Sequence, residues 1–134
     1  MLASPGTMRA RPSSLAHPAP TIQGGNMAHQ QYQSCIDACD SCATACDNCA
    51  TACLSESNVS QMADCIRQDM DCAGVCRLAS AVMARGSQHV KDICSLCASL
   101  CEACATECEK HQHEHCRQCA EACRTCAKEC RAMA

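Results

Sequence analysis

The stretch Cys35-Ile36-Asp37-Ala38-Cys39-Asp40-Ser41-Cys42-Ala43-Thr44-Ala45-Cys46-Asp47-Asn48-Cys49-Ala50-Thr51-Ala52-Cys53 decides the fold. Its cysteines are separated by steps of four, three, four, three and four residues. A repeat averaging about 3.5 residues places every thiol on one stripe of a single α-helix. In an ordinary helical bundle those inner seats hold Leu, Ile or Val; here they hold sulfur. The rhythm returns at Cys94, Cys97, Cys101, Cys104 and Cys108, and again at Cys116, Cys119, Cys123, Cys126 and Cys130. A sparser version runs through Cys65, Cys72 and Cys76, with Asp69 in the seat where a further Cys would complete it.

The stripes are separated by short polar breaks, which set the expected helices. Helix 1 is predicted over 28–54 and helix 2 over 59–85, with Ser57 or Asn58 as a cap between them. Gly86 ends helix 2. Ser87 caps helix 3, expected over 88–110. The run His111-Gln112-His113-Glu114-His115 turns the chain into helix 4, expected over 114–132. Gly74 alone interrupts these helices, at a cost of about 1 kcal/mol. Short connections make sequence neighbours antiparallel, so the expected fold is all-α: an up-down-up-down four-helix bundle with a Cys-lined core. That topology puts His111, His113, His115 and Met62 at one end, and Tyr32, Met83, His89 and Met133 at the other. Asp37, Asp40, Asp47, Glu102, Arg117, Glu121, Arg124 and Lys128 fall on other faces.

Residues 1–26 differ in kind. They contain all four prolines and no Cys, which reads as a disordered leader before a domain over 27–134. Arg9 and Arg11 are not followed by an apolar run, so an export signal is not expected. Met27 is the expected natural start, and the site of action is expected to be cytoplasmic.

Composition narrows the function. The 134 residues include 19 Cys, one Tyr and no Phe or Trp. Ala and Cys bury little area each, so burial alone would give a thin core and metal or disulfides are expected to add stability. The net charge of −3 leaves no basic footprint for nucleic acid. No run of 18 apolar residues suggests a membrane span.

The thiols carry the chemistry. As simple buried hydrophobes they would be interchangeable with Val, Leu and Ile, and nearly every inner seat would not repeat one residue type. As disulfides they are badly placed, because helical neighbours three or four apart hold their Cβ atoms about 5–6 Å apart, whereas a bridge needs about 3.8 Å. Two metal–sulfur bonds of about 2.3 Å bring sulfurs within about 4.6 Å of each other, which rotamer changes alone can reach. Soft thiolate sites select Cu(I), Zn(II) or iron–sulfur clusters, and the ferredoxin-type run C-x2-C-x2-C-x3-C-P is absent. Charge favours copper. One Cu(I) per thiolate neutralises the core, whereas four thiolates per zinc leave it strongly negative, at great cost when buried. The alternatives are a Zn/Cd buffer and a disulfide or redox protein. A Cys–His enzyme would need one activated thiol in a cleft rather than nineteen equivalent ones, so no enzyme is expected.

With these four stripes and the His-rich turn, residues 28–134 resemble the copper storage proteins, Cys-lined four-helix bundles that hold many Cu(I) ions. The resemblance implies high-capacity Cu(I) storage, near one ion per Cys, in a homotetramer of bundles. It is closer to the cytosolic branch of that family, and a copper chaperone or an efflux system is the expected partner. The expected metal-site residues are Cys35, Cys39, Cys42, Cys46, Cys49, Cys53, Cys65, Cys72, Cys76, Cys94, Cys97, Cys101, Cys104, Cys108, Cys116, Cys119, Cys123, Cys126 and Cys130. His111, His113 and His115 are added as entry or exit ligands, His111 and His113 being expected to face the tube mouth beside Cys108 and Cys116. Met62 and Asp69 complete the set.

Overall fold

The computed structural model describes residues 24–134, with side chains from Gln30 onward. Four helices account for nearly all of it: α1 (Gly24–Leu54), α2 (Ala63–Ala84), α3 (Val90–Cys108) and α4 (Glu114–Met133). Helix α1 begins four residues before the expected start. Gly24, Gly25 and Asn26 are helical, and the remainder of the expected leader, 1–23, lies outside the described residues.

Each helix packs on its neighbours in sequence, and α1 against α4 closes the ring. The diagonal pairs α1–α3 and α2–α4 stay apart at the backbone. This is the antiparallel bundle that short connections require. Along α3 and α4 the inner sulfurs are followed by small residues at heptad spacing: Cys97-Ala98, Cys104-Ala105, Cys119-Ala120 and Cys126-Ala127. All four alanines are buried. They flank the sulfur stripes, where a small side chain lets adjacent helices close on each other.

The turns differ in detail from expectation. Between α1 and α2 neither Ser57 nor Asn58 caps through its side chain. A 3-10 turn, Val59–Met62, tightens the entry to α2 instead. Asn58 donates from Nδ2 to Gln61 Oε1 at 3.3 Å and to Met62 Sδ at 3.8 Å. The end of α2 is a Schellman motif: Gly86 N–H donates to the Met83 carbonyl and Ser87 N–H to that of Val82. Gly86 has φ 63°, which a Cβ would disfavour. Ser87 Oγ accepts from His89 N–H at 3.0 Å, but regular helix begins only at Val90, because the intervening residues form a turn. At the other connection, α3 ends at Cys108 rather than Lys110. His113 is extended, and its carbonyl accepts from the N–H groups of both Cys116 and Arg117.

Ion pairs lie outside. Arg77 on α2 reaches Asp47 on α1 at 2.6 Å, and Arg131 on α4 reaches Glu102 on α3 at 2.9 Å. Exposed pairs of this kind add little stability. The bundle is held by its core, and that core is largely sulfur.

Candidate metal centre

All nineteen cysteines are buried, none more than 1% exposed, and all are free thiols. Their sulfurs meet in the middle of the bundle and join helices whose backbones do not touch. Cys42 on α1 lies 4.0 Å from Cys101 on α3, and Cys76 on α2 lies 3.7 Å from Cys126 on α4. The contacts form successive levels. Toward the start of α1 and the end of α4, Cys130 touches Cys35 and Cys39, both at 3.7 Å. Cys76 follows, against Cys97 at 3.7 Å and Cys101 at 3.6 Å. Next, Cys42 touches Cys72 at 3.7 Å and Cys123 at 3.6 Å, and Cys46 touches Cys119 at 3.6 Å. Cys94 is buried at the Cys130 end.

Asp69 occupies the missing sulfur seat of α2, fully buried. Its Oδ1 accepts from Cys104 and Cys119 at 3.2 Å each and from Cys108 at 3.6 Å, and its Oδ2 accepts from Cys65 at 3.9 Å. A carboxylate in this setting has lost its water, and the thiols beside it become negative when they ionise. Burial above all, then the charges of Cys119 and Cys104, push its pKa up to about 10. The metal-free core therefore holds Asp69 as a neutral acid.

Beyond Asp69 the tube ends at the two short connections. Cys65 lies 3.5 Å from Cys108 and 3.9 Å from both Cys49 and Cys53. His115, in the first turn of α4, points Nδ1 at this group: 3.5 Å from Cys49 and Cys116, and 4.0 Å from Cys53. Burial raises the thiols of Cys53 and Cys116, the latter to about 12, so they too are protonated without metal.

Several sets of four donors lie mutually within 4.8 Å. Cys39, Cys97, Cys126 and Cys130 form one toward the start of α1 and the end of α4; Cys42, Cys46, Cys72 and Cys123 form one in mid-tube; Cys49, Cys53, His115 and Cys116 form one at the mouth. Such spacing suits sulfurs that share a soft ion two or three at a time. It exceeds the S–S bond length of a disulfide, about 2.05 Å.

Of the three histidines expected at the mouth, His115 is the one set against thiols. His111 Nε2 is 3.0 Å from Glu107 Oε2, one turn back along α3. His113 stacks on His115 with ring centroids 5.2 Å apart, and its Nδ1 is 3.3 Å from Glu56 Oε2. His111 and His113 adjoin Cys108 and Cys116 along the backbone, but their rings are set against Glu107 and Glu56, and among the described residues neither contacts a sulfur. The turn is extended at His113, and helix begins only after it, which swings His115 inward. Met62 is fully buried at the same end. Glu56 was not singled out by the sequence. It sits in an unremarkable polar turn, and the one clue was that this turn and the histidines must share an end.

The comparisons agree with this geometry. The family model described as copper storage protein matches residues 28–134. The Cu(I)-bound copper storage protein BsCsp3 is 50% identical, covers 80% of this chain and 98% of its own, and superposes with a TM-score of 0.73. A cytosolic copper storage protein from Streptomyces lividans carrying five coppers is 43% identical, covers 80% and 94%, and gives a TM-score of 0.76. An uncharacterized cysteine-rich protein of Bacillus subtilis, YhjQ, is 52% identical over 72 residues, 53% of this chain and 67% of that one.

Proposed function

The chain belongs to the copper storage protein family, and on that premise we propose that its sulfur tube is the store and that the end carrying His115 is its entrance. The protein stores Cu(I), many ions per chain. The observation that carries this reading is the continuous set of buried, unbridged thiols spanning all four helices. All the cysteines but Cys94 lie within 4.0 Å of another sulfur, close enough to share a soft ion, and filling the tube with monovalent copper cancels the charge that ionising it creates.

The nineteen cysteines are the proposed ligands, with His115 at the mouth and Asp69 as an oxygen donor among sulfurs. His111 and His113 serve as outer exchange groups, and Met62 as a thioether behind them. The role is storage rather than catalysis. A cytoplasmic location follows the Streptomyces relative, which is described as cytosolic. No described helix is long and apolar enough to cross a membrane. A homotetramer follows from the family resemblance, and a copper chaperone or an efflux system is the partner proposed to load or draw on the store.

Anaerobic titration with Cu(I) tests the proposal. Saturation is expected near one ion per thiol, with about one proton released for each Cys bound, because buried thiols must deprotonate to ligate. Saturation at four or five ions would instead indicate closed tetrahedral zinc-type sites. Titration calorimetry in buffers of different ionisation enthalpy counts the protons.

A further inference from the structure

Glu56 stands in the connection between α1 and α2, far in sequence from the histidines, yet its carboxylate meets two of them. Its Oε2 lies 2.8 Å from His115 Nε2 and 3.3 Å from His113 Nδ1. His115 is thus held at both ring nitrogens, by a carboxylate on Nε2 and by the thiols of Cys49 and Cys116 at 3.5 Å from Nδ1. A carboxylate accepts hydrogen bonds and does not donate them, so the ring proton belongs on Nε2. The lone pair of the neutral imidazole is then on Nδ1, directed at the mouth sulfurs. Those sulfurs, as thiols, can donate to it. The side chain of His115 is 15% exposed and that of Glu56 28%, so the pair sits where the tube meets solvent. The stacked ring of His113, 6° from parallel, limits rotation of His115.

We propose that Glu56 is a positioning residue for copper entry: it fixes His115 in the Nε2–H tautomer and leaves Nδ1 free to take an incoming Cu(I) and pass it to Cys49 and Cys116. This rests on the reading of the His end as the entrance. A carboxylate behind a ligating imidazole orients the ring and raises its basicity, and loss of such a partner commonly costs roughly tenfold or more in metal affinity or activity. Nothing in the step is oxidised. Cu(I) exchanges one set of ligands for another, and the thiols that bind it release their protons to solvent.

The test has two parts, both on the full chain. In the metal-free protein labelled with nitrogen-15 at histidine, long-range proton–nitrogen correlation followed over a range of pH reads the tautomer of the neutral ring directly. His115 is expected as Nε2–H, and Glu56→Ala is expected to give a mixture. A wild-type His115 found with its proton on Nδ1 overturns the proposal without any copper measurement. In the second part, the rate of Cu(I) uptake from a chelator is measured by stopped flow for Glu56→Ala, His115→Ala and the double variant. Glu56→Ala is expected to slow uptake roughly tenfold with capacity unchanged, and to add nothing in the His115→Ala background. Equal slowing in both backgrounds would mean that Glu56 merely ties the two turns together, and would refute the positioning role. Low total capacity in the wild type would count against storage itself, a separate outcome.

Discussion

The two ends of the tube are built from the same four helices and finish in opposite ways. At the end of the two short connections, the last thiols, Cys49, Cys53 and Cys116, meet an imidazole, and the imidazole meets a carboxylate. At the opposite end, where α1 enters the bundle and α4 finishes, the last thiols, Cys35, Cys94 and Cys130, share the core with buried Ile36, Val82, Met83 and Val90, while Tyr32 and Met133 pack partly buried against it. One end sets an imidazole and a carboxylate against the thiols; the other sets aliphatic side chains against them. A bundle whose interior is mostly small sulfur and methyl groups has little apolar area per residue. Its largest fully buried apolar side chains are divided between the ends, Met83 at the aliphatic one and Met62 at the other.

The largest effect that could break this contrast is at the closed end. Met83→Ala empties a fully buried site and should destabilise the metal-free protein by about 2–5 kcal/mol, measured by urea unfolding. Cu(I) transfer rates should stay close to wild type. Faster transfer would mean that this end also opens.

The second prediction concerns Asp69, on the mouth side of mid-tube. Its ordinary value of 3.8 is raised to about 10 in the fold, so between these limits the folded chain keeps a proton that the unfolded chain has lost. Its contribution is fully present below 3.8 and is lost as pH rises toward 10. The metal-free protein should therefore weaken by about 1.4 kcal/mol per pH unit within that window. The raised thiols of Cys53 and Cys116 act in the same direction above their ordinary value of 9.0. Asp69→Asn, which keeps the shape and cannot ionise, should flatten the slope between pH 5 and 8. Unfolding at several pH values checks it, and an unchanged slope would show that the carboxyl ionises inside the tube.

A third, kinetic effect belongs to the open end. Replacing His111, His113 and His115 together by Ala should change the rate of Cu(I) transfer to a competing chelator several-fold while leaving capacity nearly intact, since the thiols remain. Stopped-flow rates equal to wild type, with Met83→Ala and Met133→Ala altering them, would reverse the assignment of entrance and plug. The smallest effect is expected between the ends, on the outer surface. Removing the exposed Arg131–Glu102 pair should leave the melting temperature almost unmoved, because water and salt screen it.

The periodicity of cysteine made much of this legible before any coordinates. Four stripes separated by short breaks require an antiparallel bundle with sulfur inside, and the same logic sorts the His111–His115 turn to one end and Met83 with Met133 to the other. It also marks Asp69 as the odd seat on α2, because a seat is defined by spacing alone. Helix limits were less legible. The 3-10 turn before α2 and the late start of α3 come from how the connections close, and capping residues in the sequence only suggest this.

By itself, then, the sequence determined the fold class, the lining of the tube and the soft-metal chemistry, because helical period and residue type are local properties of the chain. Tertiary structure decided which groups meet. Spacing places Cys104 and Cys119 on two different helices; only the packed bundle brings both to 3.2 Å from one oxygen of Asp69. Spacing along the stripes favoured His111 and His113 as the histidines facing the tube mouth. The extended backbone at His113 turned His115 inward instead. Glu56 is recognisable only once two turns lie side by side, 59 residues apart in sequence. Rotation of each helix about its axis and the path of each turn are fixed by contacts between segments, and the sequence of any one segment does not contain them.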